Sequence, residues 1–392
     1  MKKVAVFVKT ILTIDDIVPL LFQLQNEKLI KTPLIICWDG KSLDFLNRNI
    51  VVRDAISHMD GEIIGINKTK NRWLNQLYNI WILRKIVGFS GILIETYRIS
   101  NKITLFMLWL NRRFGSSVKV RSDILNRPQR FARNTVSYYE VVRNDCSTRT
   151  TFFYNYDYIL LSHSVEVYED INNTKLMTDA EVINVGYTRG LSSWNKYMAE
   201  VSSKYIKNEI NEPYFFFPLS AVKGGFLKEE NNVSMEEKFI DSLHILRTYN
   251  DTILTVFKPH HKTDVGVLQD ILNEVGYKNY VISYLHPKVL MQKSYFTFAY
   301  HPTSVLIDAY YEGCPTVEYG NYDSRFYEFN KHQPRYLDAI DFFSYKDAEK
   351  MYAILDKVVL NRVNVIRDAD KMLEDYPVLD ELSIKNKLLF LS

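Results

Sequence analysis

The 392-residue sequence has little cysteine and no long apolar run. Its three cysteines, Cys37, Cys146 and Cys314, are odd in number and widely separated, so they indicate neither a disulfide framework nor a metal cluster. The best apolar stretch, residues 103–110, is far shorter than the about 18 residues that a membrane span needs. These absences predict a cytoplasmic protein, with peripheral association at the inner membrane left open.

An excess of either charge is also absent. Lys and Arg number 49 and Asp and Glu 46, whereas bulk nucleic-acid binding needs a strong basic excess, so we expect no nucleic-acid partner. One basic stretch runs from Arg112 to Arg133 and includes Lys119 and Arg121. It either faces an anionic acceptor or a phospholipid surface, or it is a solvated loop and helix face, which we slightly prefer.

The first half alternates between apolar strand patterns and helical periodicity. Lys9, Asp15 and Asp16 interrupt the first apolar run, which therefore indicates a strand and not a signal peptide. This alternation is typical of a mostly parallel α/β sheet. Strands are expected at 4–8, 33–39, 91–96 and 156–162, and helices at 15–25 and 73–86.

The second half repeats the alternation after a change of pattern at residues 182–190. Strands are expected at 213–219, 252–260, 280–285, 293–302 and 315–320, with helices at 235–248, 265–275 and 304–313. We expect an N-terminal Rossmann-like domain over 1–200 on the acceptor side. A nucleotide-sugar domain is expected over 208–370, and a helical segment over 371–392 that packs back on the first domain.

The strongest site signal is AYHPTSVLIDAYYEGCPTVEYG, residues 299–320. His301, Thr303 and Ser304 stand between a strand and a helix, where unpaired N–H groups and the helix dipole favour a phosphate. Glu318 and Tyr319 end the next strand, and a Glu there can accept both hydroxyls of a ribose. The alternative is that Thr303 or Ser304 is only a helix N-cap.

A second signal is FKPHHK, in which Lys258 and His260 follow a strand and precede a helix. Such groups suit a phosphate, a diphosphate or a carboxylate, although a plain surface turn is the alternative. Ser220, Glu229, Glu230 and Asn232 lie in the loop after FPLS, which lacks the GxGxxG fingerprint.

No D-x-D motif stands at a strand end. Asp368 and Asp370 have that spacing only inside a helical segment expected to face solvent, so we expect neither a catalytic metal nor another cofactor.

The order FPLS, FKPH and HPTSVLIDAYYEGCPTVEYG resembles the retaining β-Kdo glycosyltransferases of bacterial O-antigen and capsule assembly, mainly over residues 180–325. The resemblance implies a GT-B-like fold of two Rossmann-like domains with a cleft between them and a C-terminal helical crossover. It also implies metal-independent transfer from CMP-β-Kdo. The implied donor-binding residues are Ser220, Lys258, His260, His301, Thr303, Ser304, Glu318 and Tyr319.

The family's aspartate nucleophile is expected in the loop after FPLS, where the matching position holds Asn232. Double displacement needs an anionic nucleophile opposite the leaving group, and an amide lacks that charge. Either Asn232 is an inactivating substitution or the alignment shifts to Glu229 or Glu230. The candidate catalytic residues are therefore Asn232, Glu230 and His260, and Arg189 is a candidate for acceptor contact.

Other functions remain open at this point. A CDP-polyol phosphotransferase or a sialyltransferase-like enzyme would use the same phosphate loop, and a non-catalytic sugar-binding module of a larger synthase is a third possibility. The expected partners are a nucleotide-sugar donor, an oligosaccharide or lipid-linked glycan acceptor, and further domains of such a synthase.

Overall fold

The computed structural model describes residues 1–8, 11–37, 40–65, 77, 80–82, 84–85, 87, 89–96, 110, 113, 117–124, 149–153, 156–172, 174–210, 212–219, 235–260, 263–361, 365, 367 and 369–389. Within them the chain forms two large parallel sheets, one in each half, and a separate pair of short parallel strands. The predicted α/β class is confirmed. No helix in these ranges is long and apolar enough to cross a membrane.

The first sheet has seven strands in the order β3-β2-β1-β4-β5-β7-β9, while β6 and β8 pair separately. Val4 and Val6 of β1 pack into a different cluster from Ala5 and Phe7, so this strand is covered on both faces, as is usual for parallel strands. The elements are β1 (Lys2–Val8), α1 (Ile11–Asn26), β2 (Ile30–Cys37), α2 (Gly40–Arg48), α3 (Ile50–His58), β3 (Glu62–Gly65), β4 (Ile92–Glu95), β5 (Val118–Ser122), β6 (Arg149–Phe153), β7 (Tyr158–Leu161), α4 (Val165–Asn172), β8 (Thr174–Thr178) and β9 (Glu181–Asn184).

The second sheet has six strands in the order β12-β11-β10-β13-β14-β15. Its central strand is aromatic: Phe215 and Phe217 pack on one face, and Tyr214 and Phe216 on the other. The elements are α5 (Ser192–Glu209), β10 (Tyr214–Pro218), α6 (Met235–Asn250), β11 (Leu254–Lys258), α7 (Val265–Val275), β12 (Tyr280–Ile282), α8 (Pro287–Met291), β13 (Ser294–Ala299), α9 (Val305–Tyr311), β14 (Thr316–Gly320), α10 (Ser324–Phe329), β15 (Phe342–Tyr345), α11 (Ala348–Asn361), α12 (Ala369–Asp375) and α13 (Glu381–Lys387).

Helix α5 joins the two halves, and the predicted domain limits at 200 and 208 both fall inside it. It packs on α1 of the first half and on α8 of the second. Trp194 of α5 is fully buried in a cluster that draws residues from both halves. The cleft between the halves is therefore bounded by a shared apolar core.

The C-terminal segment returns to the first half, as the sequence predicted. Ile384 and Leu388 are buried in the shared core. The Lys385 Nζ atom lies 3.0 Å from a Glu27 carboxylate oxygen, and Lys387 Nζ donates to the Asn184 carbonyl oxygen at 3.0 Å. The C-terminal helical crossover thus holds the end of the second half on the first.

The preferred interpretation of the basic stretch as a solvated loop and helix face is wrong at two of its positions. Lys119 and Arg121 belong to strand β5, and Arg121 is buried. Val118 and Val120 are β-branched residues at alternate positions, a strand signal that was overlooked because charged residues lie between and after them. Arg112, Arg127, Arg130 and Arg133 lie outside the described residues.

Candidate functional site

In both large sheets the order of the strands reverses beside the first strand. Strand β1 lies between β2 and β4, and β10 lies between β11 and β13. In open parallel sheets a ligand binds in the crevice beyond the carboxyl ends of the strands, at this reversal of strand order. The topology therefore places candidate sites after β1 and β4 in one half and after β10 and β13 in the other.

Several predicted donor-binding residues do meet at the carboxyl edge of the second sheet. Lys258 ends β11 and His260 follows it, while His301 follows β13, on the other side of β10. The Lys258 Nζ atom donates to the Tyr284 carbonyl oxygen at 3.3 Å. Ser220, Glu229, Glu230 and Asn232, which were predicted for the same edge, lie outside the described residues.

His301 is a neutral side chain in this site. Burial, together with the nearby Lys238 and Arg335, lowers the pKa of its imidazole to about 3. Its Nδ1 atom lies 3.3 Å from the Pro302 carbonyl oxygen. A carbonyl oxygen can only accept, so the neutral ring carries its hydrogen on Nδ1 and leaves Nε2 as an acceptor. The sequence interpretation named neither of the two basic neighbours, of which Arg335 is the cation, since burial lowers the pKa of Lys238 to about 7.

The hydroxyl groups that follow His301 lie at the start of helix α9. The Thr303 hydroxyl accepts from the Val305 backbone N–H at 3.3 Å, and Ser304 is the N-cap residue without a side-chain capping bond. The capping alternative thus applies to Thr303, and the phosphate roles of both residues stay predictions.

Glu318 lies inside strand β14, not beyond its end. Its side chain is fully buried, and burial raises the pKa of the carboxyl to about 8, with the Tyr322 hydroxyl opposing the rise. Tyr319 points to the opposite face and packs in the aromatic core. Contact of either residue with a ribose stays a prediction.

A buried charge network ties the two halves together. Asp308 of α9 accepts from Arg189 Nη1 and from the Tyr187 hydroxyl, both at 2.6 Å. The Arg189 Nε atom lies 3.4 Å from an Asp16 carboxylate oxygen of α1. Arg189 thus joins α1 to α9 through two ion pairs, while its acceptor contact stays a prediction.

Asp15 faces the second half beside this network. Its Oδ1 atom lies 4.0 Å from His286 Nε2, and neither atom has a hydrogen-bond partner among the described residues. Burial raises the pKa of Asp15 to about 7, with opposing effects from Arg189 and Lys258. A carboxyl with such a pKa exchanges protons near neutral pH.

A cavity of about 370 Å³ opens between the halves, and its lining includes Leu285, the residue before His286. Arg48 and Ile50 line it from the first half, and Ile282, Tyr284 and Leu285 from the second. The Arg48 guanidinium carbon lies 5.6 Å from the centre of the Tyr284 ring. The volume falls within the roughly 300–1,000 Å³ of typical small-molecule sites.

The first sheet carries a second buried polar cluster. Arg121 Nη1 lies 4.0 Å from a Glu95 carboxylate oxygen, and Arg121 Nη2 lies 3.6 Å from one of Asp123. The Tyr156 hydroxyl donates to Glu95, and the Tyr168 hydroxyl to Asp123. These residues gather at the carboxyl ends of β4 and β5, on the side assigned to the acceptor.

Sequence reasoning missed most of these groups. Asp15 and Asp16 were noted only as charges that interrupt an apolar run, which was itself the available signal. Asp308 looked like an ordinary helical residue, because its partner Arg189 is 119 positions away. Among the residues that the structure describes, no group of three His, Cys, Asp or Glu side chains is arranged to hold a metal ion.

No protein-family profile matches the chain, and no curated protein matches it. Several solved structures do match it. A Listeria monocytogenes protein assigned as a UDP-N-acetylglucosamine 2-epimerase is 11% identical with a TM-score of 0.52, over 99% of this chain and 94% of that one. Arabidopsis thaliana UGT89C1 complexed with UDP is 10% identical with a TM-score of 0.50, over 100% and 99%.

A glycosyltransferase from Rickettsia africae is 12% identical with a TM-score of 0.47, over 100% of this chain and 97% of that one. Identities this low establish the fold alone. The chain has a GT-B-like fold of two Rossmann-like halves, as the resemblance implied.

Proposed function

We propose that the chain is a glycosyltransferase that uses a nucleotide sugar. The observation that carries the proposal is the cavity between the halves, whose second-half wall is Ile282, Tyr284 and Leu285. It lies at the carboxyl end of β12, and Lys258 at the end of β11 binds the Tyr284 carbonyl oxygen. An apolar wall beside an ammonium group suits the base and the phosphate of a nucleotide.

The fold comparison supports a nucleotide ligand. The Arabidopsis thaliana match, with a TM-score of 0.50, is a protein complexed with UDP. The Listeria monocytogenes match, with a TM-score of 0.52, is assigned to UDP-N-acetylglucosamine chemistry. Two-sheet folds of this kind place such ligands at the cleft, and a buried charge network of Asp16, Arg189 and Asp308 joins the two halves of this chain.

The donor we propose is CMP-β-Kdo, transferred with retention to a saccharide acceptor of a lipopolysaccharide O-antigen or a capsule. The support is the resemblance of the FPLS, FKPH and HPTS segments. Lys258, His260 and His301 would hold the CMP phosphate and the Kdo carboxylate. No metal is required in this proposal, because protein cations and N–H groups balance the phosphate charge.

We infer retention by double displacement, which takes two steps at the anomeric carbon. A carboxylate in the loop after β10 would attack that carbon while its bond to the CMP phosphate oxygen breaks. The acceptor oxygen would then displace the carboxylate. Asn232 stands at the matching position, and Glu229 and Glu230 are the nearby alternatives.

Intact-protein mass spectrometry of the Asn232→Asp variant tests this assignment with CMP-Kdo made in situ and no acceptor present. We expect a covalent sugar adduct on the variant and very slow transfer by the chain as given. Equal activity of the two proteins would place the nucleophile elsewhere.

A second candidate is an enzyme that acts on a UDP-sugar, including a UDP-N-acetylglucosamine 2-epimerase. The observation in its favour is the epimerase match at a TM-score of 0.52. The two candidates differ in the nucleotide that they bind and in whether the sugar is released with a changed configuration or transferred.

Thermal-shift measurements with CMP, CDP, UMP and UDP separate the candidates. A ligand at a hundred times its dissociation constant adds about 2.7 kcal/mol to the free energy of unfolding. Stabilisation by CMP alone supports the Kdo transferase, and stabilisation by UDP supports the second candidate. Lys258→Met should abolish the shift, whereas Lys278→Met, at an exposed position, should leave it unchanged. No shift with any nucleotide would contradict the proposal.

A further inference from the structure

Asp15 and His286 come from opposite halves and face each other across the cleft. Asp15 lies on α1, which follows β1 at the reversal of strand order in the first sheet. His286 directly follows Tyr284 and Leu285, which line the cavity between the halves. The 4.0 Å that separates Asp15 Oδ1 from His286 Nε2 is longer than a hydrogen bond.

The backbone around His286 determines which ring nitrogen carries the proton. His286 is the N-cap of α8, and its Nδ1 atom accepts from the Lys288 backbone N–H at 3.2 Å. An accepting Nδ1 carries no hydrogen, so the neutral ring carries it on Nε2. The Nε2–H group therefore faces Asp15 as a donor.

The two side chains differ in their access to the cleft. The His286 side chain is 1% exposed and packs edge-on against Trp194, whereas the Asp15 side chain keeps 21% exposure. His286 is thus a fixed support, and Asp15 is the group that a ligand in the cleft can reach.

We propose that Asp15 is the base that takes the proton of the acceptor hydroxyl, and that His286 is the residue that positions it. The inference rests on the proposed function. As the hydroxyl proton passes to the Asp15 carboxylate, the acceptor oxygen forms a bond to the anomeric carbon. The bond from that carbon to the enzyme carboxylate breaks, and the carboxylate keeps the electron pair. With water as acceptor, this step releases the free sugar, and the nucleotide has left in the first displacement.

The surroundings suit a base that works near neutral pH. Burial and the like charges of Asp16 and Asp308 raise the pKa of Asp15, while Arg189 and Lys258 lower it, for a value of about 7. Burial and the nearby cations lower the pKa of His286, which keeps the ring neutral. Because the base must be deprotonated, turnover should rise with pH through the pKa of Asp15.

The test measures nucleotide release from CMP-Kdo made in situ, UDP-glucose and UDP-N-acetylglucosamine, from about pH 5 to about pH 9. The parent proteins are the chain as given and its Asn232→Asp variant. Asp15→Asn should lower turnover about 10²–10⁴-fold and abolish the rise with pH, while calorimetry shows unchanged nucleotide affinity. Asp60→Asn, at an exposed position of the first half, is the matched control and should change neither turnover nor the rise with pH.

A pair of substitutions at His286 separates positioning from folding. His286→Asn keeps an acceptor for the Lys288 N–H but removes the donor that faces Asp15, so the rise with pH should move upward. His286→Gln keeps a donor near the Nε2 position and loses the cap, so the rise should stay in place even if the melting temperature falls.

The outcomes distinguish the inference from the function on which it depends. If none of the donors or their nucleotides binds, the proposed function fails and the inference with it. If a donor binds and Asp15→Asn releases nucleotide as fast as its parent, only the inference fails. An Asn232→Asp parent that forms the sugar adduct and does not hydrolyse it at any pH also counts against Asp15 as a base.

Discussion

Replacing Arg189 by methionine removes the cation that joins the two halves. Arg189 is 6% exposed, and its guanidinium is bound to Asp308 Oδ2 at 2.6 Å and lies 3.4 Å from Asp16. Methionine keeps most of the side-chain volume and removes the charge. Asp308, which is fully buried, would keep only its hydrogen bond from the Tyr187 hydroxyl.

The expected cost follows from this burial. Removing one member of a buried ion pair typically destabilises a protein by about 3–5 kcal/mol, because the other charge is left uncompensated. With an unfolding entropy of about 2.1 cal/mol/K per residue, a chain of 392 residues loses about 1.2 °C per kcal/mol, so the melting temperature should fall by about 4–6 °C. Asp308→Asn should cost less, since Arg189 then keeps Asp16.

Urea and thermal unfolding of Arg189→Met, Asp308→Asn and the double variant give the coupling between the two residues. The control is Asp44→Asn, which breaks the surface pair with Arg48, whose side chains are 60% and 53% exposed. Such pairs contribute about 0–1 kcal/mol. If Arg189→Met and Asp44→Asn lower stability equally, the network does not hold the halves together.

Three further predictions concern other parts of the chain. Glu318→Gln should stabilise the protein increasingly between about pH 5 and pH 8. The reason is that the raised pKa of Glu318 makes folding of the native chain less favourable as pH rises. A difference in melting temperature that does not depend on pH would contradict this. Gly186→Ala should be more destabilising than Gly313→Ala. Both glycines have φ near +70°, but at Gly186 an added Cβ would lie 2.3 Å from the Pro377 carbonyl oxygen, whereas at Gly313 it would meet no atom within 4 Å. Equal midpoints of urea unfolding for the two variants would contradict this prediction. Transfer should persist in EDTA, because the sequence has no D-x-D at a strand end, and loss of activity that Mg²⁺ or Mn²⁺ restores would show a metal requirement.

The layered fold was predictable because its signals are local. Residues 4–8 and 213–219 are short apolar runs bounded by polar residues, and such runs form buried parallel strands. Strand β5 was missed because Lys119 and Arg121 made it look like solvated surface. The carboxylates of Glu95 and Asp123 stabilise the buried arginine. Its pairing with Glu95 on β4 follows from strand pairing and not from neighbours in sequence.

The candidate site likewise contains residues that local sequence signals could predict and residues that they could not. Lys258, His260 and His301 each follow a strand of one sheet, so their common edge could be predicted from the pattern of strands. Asp15 and His286 belong to different halves, and no local sequence pattern determines how the two halves pack against each other. Their proximity depends on the packing of α5 between α1 and α8.

The buried charges explain why that packing has one arrangement. Burying Asp16, Arg189 or Asp308 alone would cost several kcal/mol, and the cost is offset only when all three are together. They come from α1, the segment before α5, and α9, so any other orientation of the halves leaves a buried charge without its partner. Asp15 is the neighbour of Asp16 on α1, and its distance to His286 is therefore set by the same network. Arg189→Met should therefore also move the rise of turnover to higher pH, because it removes a cation that lowers the pKa of Asp15.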